Sequence, residues 1–281
     1  EMAIGQRFQG GAPTALKKAK SWFEWIGWFS VLIASVITFY YCAIMAWSVN
    51  YLVHAFSLKW SNYDPASPEV AQAIEAGEKT VEEAFFHNEV LHLSGGPGEL
   101  GSISWALLIG LAVTWFLIYL CVRKGVHSVG KVVLVTVPLP FLLLIILFFR
   151  GLTLDGAIDG LRLYLTPNFQ TLADPKVWAA AYGQIFFSLS IGFGVMIAYA
   201  SFRPKNSDIV NNAFITGLAN CGTSFFAGFA VFSVLGYMAK QIGVLPSEVV
   251  QGGIGLAFVT FPRAISLLPA GTIAVAIIFF I

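Results

Sequence analysis

Of 281 residues, 57% are hydrophobic and 11% are charged, a balance that excludes an ordinary water-soluble domain. The net charge is +1, so nothing points to nucleic acid as a partner. The three cysteines, Cys42, Cys121 and Cys221, all fall inside apolar stretches, which excludes a disulfide framework in the loops. Several apolar stretches reach about 20 residues, enough to cross the hydrocarbon core of a bilayer. The expected fold class is an all-α polytopic membrane protein whose first partner is the lipid bilayer.

Residues 1–25 form a polar opening segment with Arg7, Lys17, Lys18 and Lys20, and its GQRFQGGAPTAL portion has turn chemistry. A first span is predicted over 26–53. Trp22, Trp25 and Trp28 sit at one end of it and Trp47 and Tyr51 towards the other, as interfacial belts would. Residues 54–102 are polar and acidic, with Glu69, Glu75, Glu78, Glu82, Glu83 and Glu89 spaced for short surface helices with a solvated face. His87 and His92 are five apart and do not share a helical face, so a metal site is not expected there.

Further spans are predicted over 103–122 and 132–149, the latter with Pro138 and Pro140 inside it as a kink. Residues 150–176 form a mixed loop in which TPNF and ADPK read as turns. The run 177–202 is apolar enough to cross a membrane, but Ser188, Ser190, Gly192 and Gly194 cluster inside it. Glycine weakens a helix by about 1 kcal/mol relative to alanine. Two readings stand: small residues that let helices pack closely, or a broken helix of the kind that builds transporter sites. A long apolar run over 209–239 follows. Residues 240–270 are too polar and glycine-rich to span; LPSEVVQ reads as a short helix with Ser247 as N-cap, and GGIGLAFVTFPRAISLLP as a second one after a glycine turn. A last span begins near 271 and runs to 281.

Loops 1–25, 123–131 and 203–208 are basic and are placed in the cytoplasm by the positive-inside rule; loops 54–102, 150–176 and 240–270 are placed outside. The expected location is the plasma membrane, with multiple passes.

No enzyme signature is present, and the spans hold no ionised residue that a proton relay would use. They do hold neutral polar pairs at helical spacing. Gln184 and Ser188 are four apart, as are Asn220 and Ser224 on the next span. Such groups can replace the hydration shell of a small ion, or act as interhelical glue worth about 0.6 kcal/mol per bond. Tyr40 and Tyr41 sit mid-span, where a buried hydroxyl needs a backbone or ligand partner.

GQIFFSLSIGFGVMIAYAS at 183–201, NCGTSFFAGFAVFSVLGYMA at 220–239 and WFSVLIASVITFYYCAIMAWS at 28–48 resemble the neurotransmitter:sodium symporter family, of the bacterial leucine-transporter type. TPNFQTLADPKVWAAA and GLAFVTFPRAISLLP extend the likeness over nearly the whole chain. The resemblance implies a partial inverted-repeat transporter fold with a broken helix at about 183–202, taken as a single membrane domain. It further implies an internal fragment, from the end of the family's helix 2 to the start of its helix 8. The family's other broken helix, helix 1, then lies outside this sequence, and the fragment by itself is expected to be inactive.

By position in those motifs, Tyr41 resembles the tyrosine that closes over a substrate carboxylate, with Ile37 one turn earlier lining the side-chain pocket. Phe187, Ser190 and Phe193 resemble pocket residues, and the backbone carbonyls of Phe187 and Ser188 would face a substrate ammonium. Ser188 and Asn220 resemble sodium ligands. Ser224 stands where leucine-transporter-like members have a glutamate and chloride-dependent members a serine, so Gln184, Ser188, Asn220 and Ser224 resemble the protein side of a chloride site. Ser201 and Phe202 occupy the cytoplasmic gate, where many members have tyrosine in place of Phe202. The function implied is sodium-coupled, chloride-dependent symport of amino acids or related small zwitterions by alternating access. The alternatives are a non-transporting sensor or pseudo-transporter of the same fold, and an ion channel. A homodimer remains open.

Overall fold

The computed structural model describes residues 1–62, 81–94, 96, 98–99, 101–249, 253–266 and 272–280. Glu69, Glu75 and Glu78, and the surface helices expected around them, lie outside the described residues. Among the described residues there is no strand. The helices are α1 (Met2–Phe8), α2 (Ala12–Ala19), α3 (Glu24–Ala55), α4 (Val81–Ala84), α5 (Trp105–Val122), α6 (Val126–Thr136), α7 (Pro138–Leu152), α8 (Ala157–Leu165), α9 (Pro175–Ser188), α10 (Val195–Ser201), α11 (Ile209–Ile242), α12 (Pro246–Val249), α13 (Phe261–Ser266) and α14 (Thr272–Phe280). Among the described residues four runs are long and apolar enough to cross a membrane: Ser21–Ala55, Trp105–Val122, Ser128–Leu152 and Ile209–Lys240. The third is interrupted only at Val137: Pro138 lacks the N–H that would continue the ladder, so α6 ends and α7 starts on either side of Val137, whose own dihedrals stay helical (φ −84°, ψ −47°).

The chain divides into two compact units, one formed by Glu1–Tyr41 with Thr166–Phe226 and the other by Cys42–Leu165 with Ala227–Ile281. In the first, the polar opening segment is helical. Its turn chemistry is confined to Gln9–Gly11, where Gln9 takes a left-handed conformation (φ 51°) and closes α1 on the Gly5 carbonyl. Buried Ala12, Ala15 and Ile197 pack with Ile4 and Phe8, which seats α1 and α2 on α10. Gly5 makes this approach possible, since a Cβ there would overlap the Ile197 carbonyl oxygen. Helix α9 is started by Asp174, whose carboxylate accepts from the Lys176 N–H at 2.9 Å, with Pro175 in the first turn. Asp208 caps α11 in the same way, accepting from the Asn211 N–H at 3.0 Å.

The second unit is held by an aromatic core. Tyr51, Trp60, Phe85 and Phe86 are fully or almost fully buried and pack with Phe258 and Phe280. Trp47 and Tyr51 therefore belong to this core and not to an interfacial belt. Tyr51 is drawn in because its hydroxyl finds a partner, donating to the Phe258 carbonyl at 2.6 Å, while Trp47 meets Phe86 and Phe258 edge-on. The Trp60 indole N–H donates to the Pro262 carbonyl at 3.1 Å. Phe85–Val90 and Leu256–Thr260 are π-helical, and His87 lies in the first of them. Glu89 pairs with Lys59, and Glu82 and Glu83 lie in α4. Helix α8 crosses α11 backbone to backbone, Gly160 against the Phe232 carbonyl and Gly236. Helix α12 starts at Pro246, so Ser247 sits inside its first turn and is not the N-cap; the proline supplies the preset φ that begins the helix. Asp155 pairs with Lys240.

Candidate functional site

The site residues expected from the sequence lie within the first unit, on α3, α9, α10, α11 and the segment between α9 and α10. The α9–α10 run is broken. Regular helix stops at Ser188 and resumes at Val195, and the intervening backbone turns left-handed at Ser190 (φ 53°), Gly192 (φ 85°) and Gly194 (φ 71°). Gly194 is the position where only glycine fits. Its φ is positive, and a Cβ would lie 2.8 Å from the Ala12 Cβ. Ser190 carries a side chain through the same region of φ, a strained conformation for a non-glycine residue.

The break leaves backbone groups to be satisfied. The Leu189, Ser190 and Ile191 N–H groups turn back to the carbonyls of Ile185, Phe187 and Phe186. Gly192 cannot reach its own helix; its N–H donates to the Glu1 carboxylate at 2.6 Å. The Phe187 carbonyl therefore spends one of its two acceptor positions on Ser190.

Two groupings form around the break. Tyr41 on α3 stacks on Phe187, with ring centroids 6.0 Å apart and planes at 22°, and Phe187 meets Phe193 edge-on at 6.3 Å. The three rings make an apolar row along one side of the break. The Asn220 side-chain N–H on α11 donates to the Ser188 hydroxyl oxygen at 2.6 Å. That bond directs the amide so that its other arm is the carbonyl oxygen, a neutral ligand suited to a hard cation. Gln184 lies one turn before Ser188 on α9, and Ser224 one turn after Asn220 on α11; both side chains are exposed.

Ile37 is half-buried one turn before Tyr41. Tyr40 is more than half exposed and packs edge-on against Tyr41 at 5.6 Å. The Ser201 hydroxyl turns back on its own helix, donating to the Ala198 carbonyl at 2.7 Å, and Phe202 ends α10 with an exposed ring. The geometry thus brings Tyr41, Phe187 and Phe193 together and joins Ser188 to Asn220; Ile37, Gln184, Ser190, Ser201, Phe202 and Ser224 take no part in these contacts. No group of three His, Cys, Asp or Glu among the described residues is placed to hold a metal.

Glu1 joins the break although the expected site did not include it; its signal in the sequence is a lone acid directly before the apolar stretch MAIG.

Comparison with known proteins follows the same outline. The family model described as sodium:neurotransmitter symporter family matches residues 1–281. An uncharacterized sodium-dependent transporter of Methanocaldococcus jannaschii is 41% identical over 282 residues, covering 100% of this chain and 54% of that protein. A creatine transporter of Torpedo marmorata is 39% identical over 296 residues, covering 100% of this chain and 48% of its own. A sodium- and chloride-dependent GABA transporter 2 of Mus musculus is 38% identical over 293 residues, covering 100% and 49%. The chain spans about half the length of the curated relatives it matches.

Proposed function

Because the chain belongs to the sodium:neurotransmitter symporter family, a family of transporters and not of enzymes, we propose that it forms part of a sodium-coupled symporter for amino-acid-like zwitterions. The observation that carries this reading is the Asn220–Ser188 bond at the edge of the helix break, which sets two neutral oxygen ligands, the amide carbonyl and the hydroxyl, side by side. In this reading Ser188 and Asn220 hold sodium. Tyr41, Ile37, Phe187, Ser190 and Phe193 form the substrate pocket, and the aromatic row favours substrates with an apolar side chain. Ser201 and Phe202 lie at the cytoplasmic gate, and transport proceeds by alternating access in the plasma membrane.

Gln184, Ser188, Asn220 and Ser224 would hold chloride. The physical reason is charge balance. The neutral side chains proposed for the ion sites supply no anion of their own, and an uncompensated cation in a low-dielectric site is costly. The name of the mouse relative includes chloride, in line with this assignment.

The test uses the full-length protein in proteoliposomes with an inward sodium gradient. Accumulation of a labelled amino acid, creatine or GABA is expected, and its absence when potassium replaces sodium. Substrate binding without accumulation would point instead to a sensor. Replacing chloride by gluconate is expected to abolish uptake in the wild type but not in Ser224→Glu, where a carboxylate supplies the charge. Unchanged wild-type uptake in gluconate removes the chloride assignment. Expressed alone, the 281-residue chain is expected to accumulate nothing.

A further inference from the structure

Gln6 is 7% exposed, unusual for a glutamine, and its side chain leaves its own helix to bind the loop between α10 and α11. Its Nε2 lies 2.7 Å from the Ser207 carbonyl oxygen, 2.8 Å from the Ser207 hydroxyl and 2.9 Å from the Pro204 carbonyl oxygen. An amide nitrogen has two hydrogens, so the three acceptors share two donors and the side chain is fixed from three directions. Gln9 adds a second tie, donating to the Arg203 carbonyl at 2.9 Å.

The loop is itself braced. The Ser207 N–H and hydroxyl both donate to the Pro204 carbonyl, the Arg203 N–H returns to Ala200 on α10, and Asp208 caps α11. One residue before Gln6, Gly5 sets α1 against the backbone of α10. Side chain and backbone thus hold α1 to both α10 and the loop that follows it, immediately beyond Ser201 and Phe202.

We propose that Gln6 is a positioning residue of the transport cycle: its amide ties the 203–208 loop to α1, so that α1, α10 and the loop move as one body when the gate segment moves. The inference rests on the transporter reading above. It differs from simple packing in one respect, because the loop's position then depends on hydrogen-bond donors and not on side-chain volume. Gln6→Met keeps the volume and removes both donors.

The experiment uses full-length protein with a reporter cysteine, Lys205→Cys, in a background whose other accessible cysteines are serine. Labelling of the reporter is followed with and without sodium, beside equilibrium substrate binding and maximal uptake. In the Gln6-containing protein, sodium is expected to change the labelling rate. Gln6→Met is expected to abolish that difference and lower maximal uptake by about fivefold or more, since both side-chain donors are lost, with substrate Kd held within about twofold. Gln6→Lys, which keeps a donor, is expected to restore the sodium response. Met behaving as the parent overturns the clamp, and so does Met weakening Kd and uptake alike, since packing alone would then be at stake. A parent protein without sodium-driven uptake overturns the transporter reading, and the clamp's role in transport with it.

Discussion

Gly194 and Asn220 are single positions whose chemistry separates structure from function. At Gly194 both the positive φ and the nearby Ala12 methyl oppose any side chain. Gly194→Ala is expected to destabilise the full-length protein by about 1–3 kcal/mol, read as a lowered thermal midpoint in detergent. Asn220→Ala removes a bond to Ser188 that, as glue alone, is worth about 0.6 kcal/mol. If its amide oxygen also holds sodium, the sodium concentration for half-maximal binding should rise by about tenfold or more, a cost of about 1.4 kcal/mol. A sodium titration that does not move leaves Asn220 as glue. Spacing offered Ser188 and Asn220 as interhelical glue or as ion ligands; it left open which atoms pair, because helical spacing fixes which residues share a face and not which faces meet.

On the scale of the element, the broken helix shows what a sequence reveals about backbone. Two serines and two glycines located the interruption, since small residues weaken the helix and glycine alone tolerates positive φ without strain. How the freed groups are satisfied was hidden, because the acceptor for the Gly192 N–H is Glu1, 191 positions away. Glu1→Gln keeps the shape and removes the charge. It is expected to cost about 1–2 kcal/mol of stability and to speed amide exchange at Gly192. The aromatic helix ends give a parallel case. Trp47 and Tyr51 have the composition of an interfacial belt, and burial was decided by the Phe258 carbonyl and by rings far away in sequence. Tyr51→Phe removes that buried hydrogen bond and is expected to lower stability by about 0.5–1.5 kcal/mol, measured as a shift in the unfolding midpoint.

For the whole molecule, apolar length carried the all-α membrane character, and among the described residues four runs are long and apolar enough to cross a membrane. Opening helices α1 and α2 escaped notice because their polar faces and the Gln9–Gly11 turn resemble a loop, while their small residues, Gly5, Ala12 and Ala15, gain meaning only against α10. Ion coupling is also a property of the whole. A sodium site filled only in the folded state stabilises by about 2.7 kcal/mol at a hundred times its Kd. The full-length protein should therefore melt at a higher temperature in sodium than in potassium at equal ionic strength, and equal midpoints would contradict a sodium site.

The glycine crossings carry a consequence for mutational mapping. Gly160 and Gly236 touch backbone on both sides, so alanine there reports an internal crossing whatever surrounds the chain. Gly183, Gly217 and Gly222 meet nothing within 4 Å. In a helix, alanine at such sites is favourable by up to about 1 kcal/mol. An alanine scan of the full-length protein thus acts as a footprint. Tolerance at Gly183, Gly217 and Gly222 marks faces left open to lipid or water, and intolerance marks where another segment or a second subunit lies against α9 and α11.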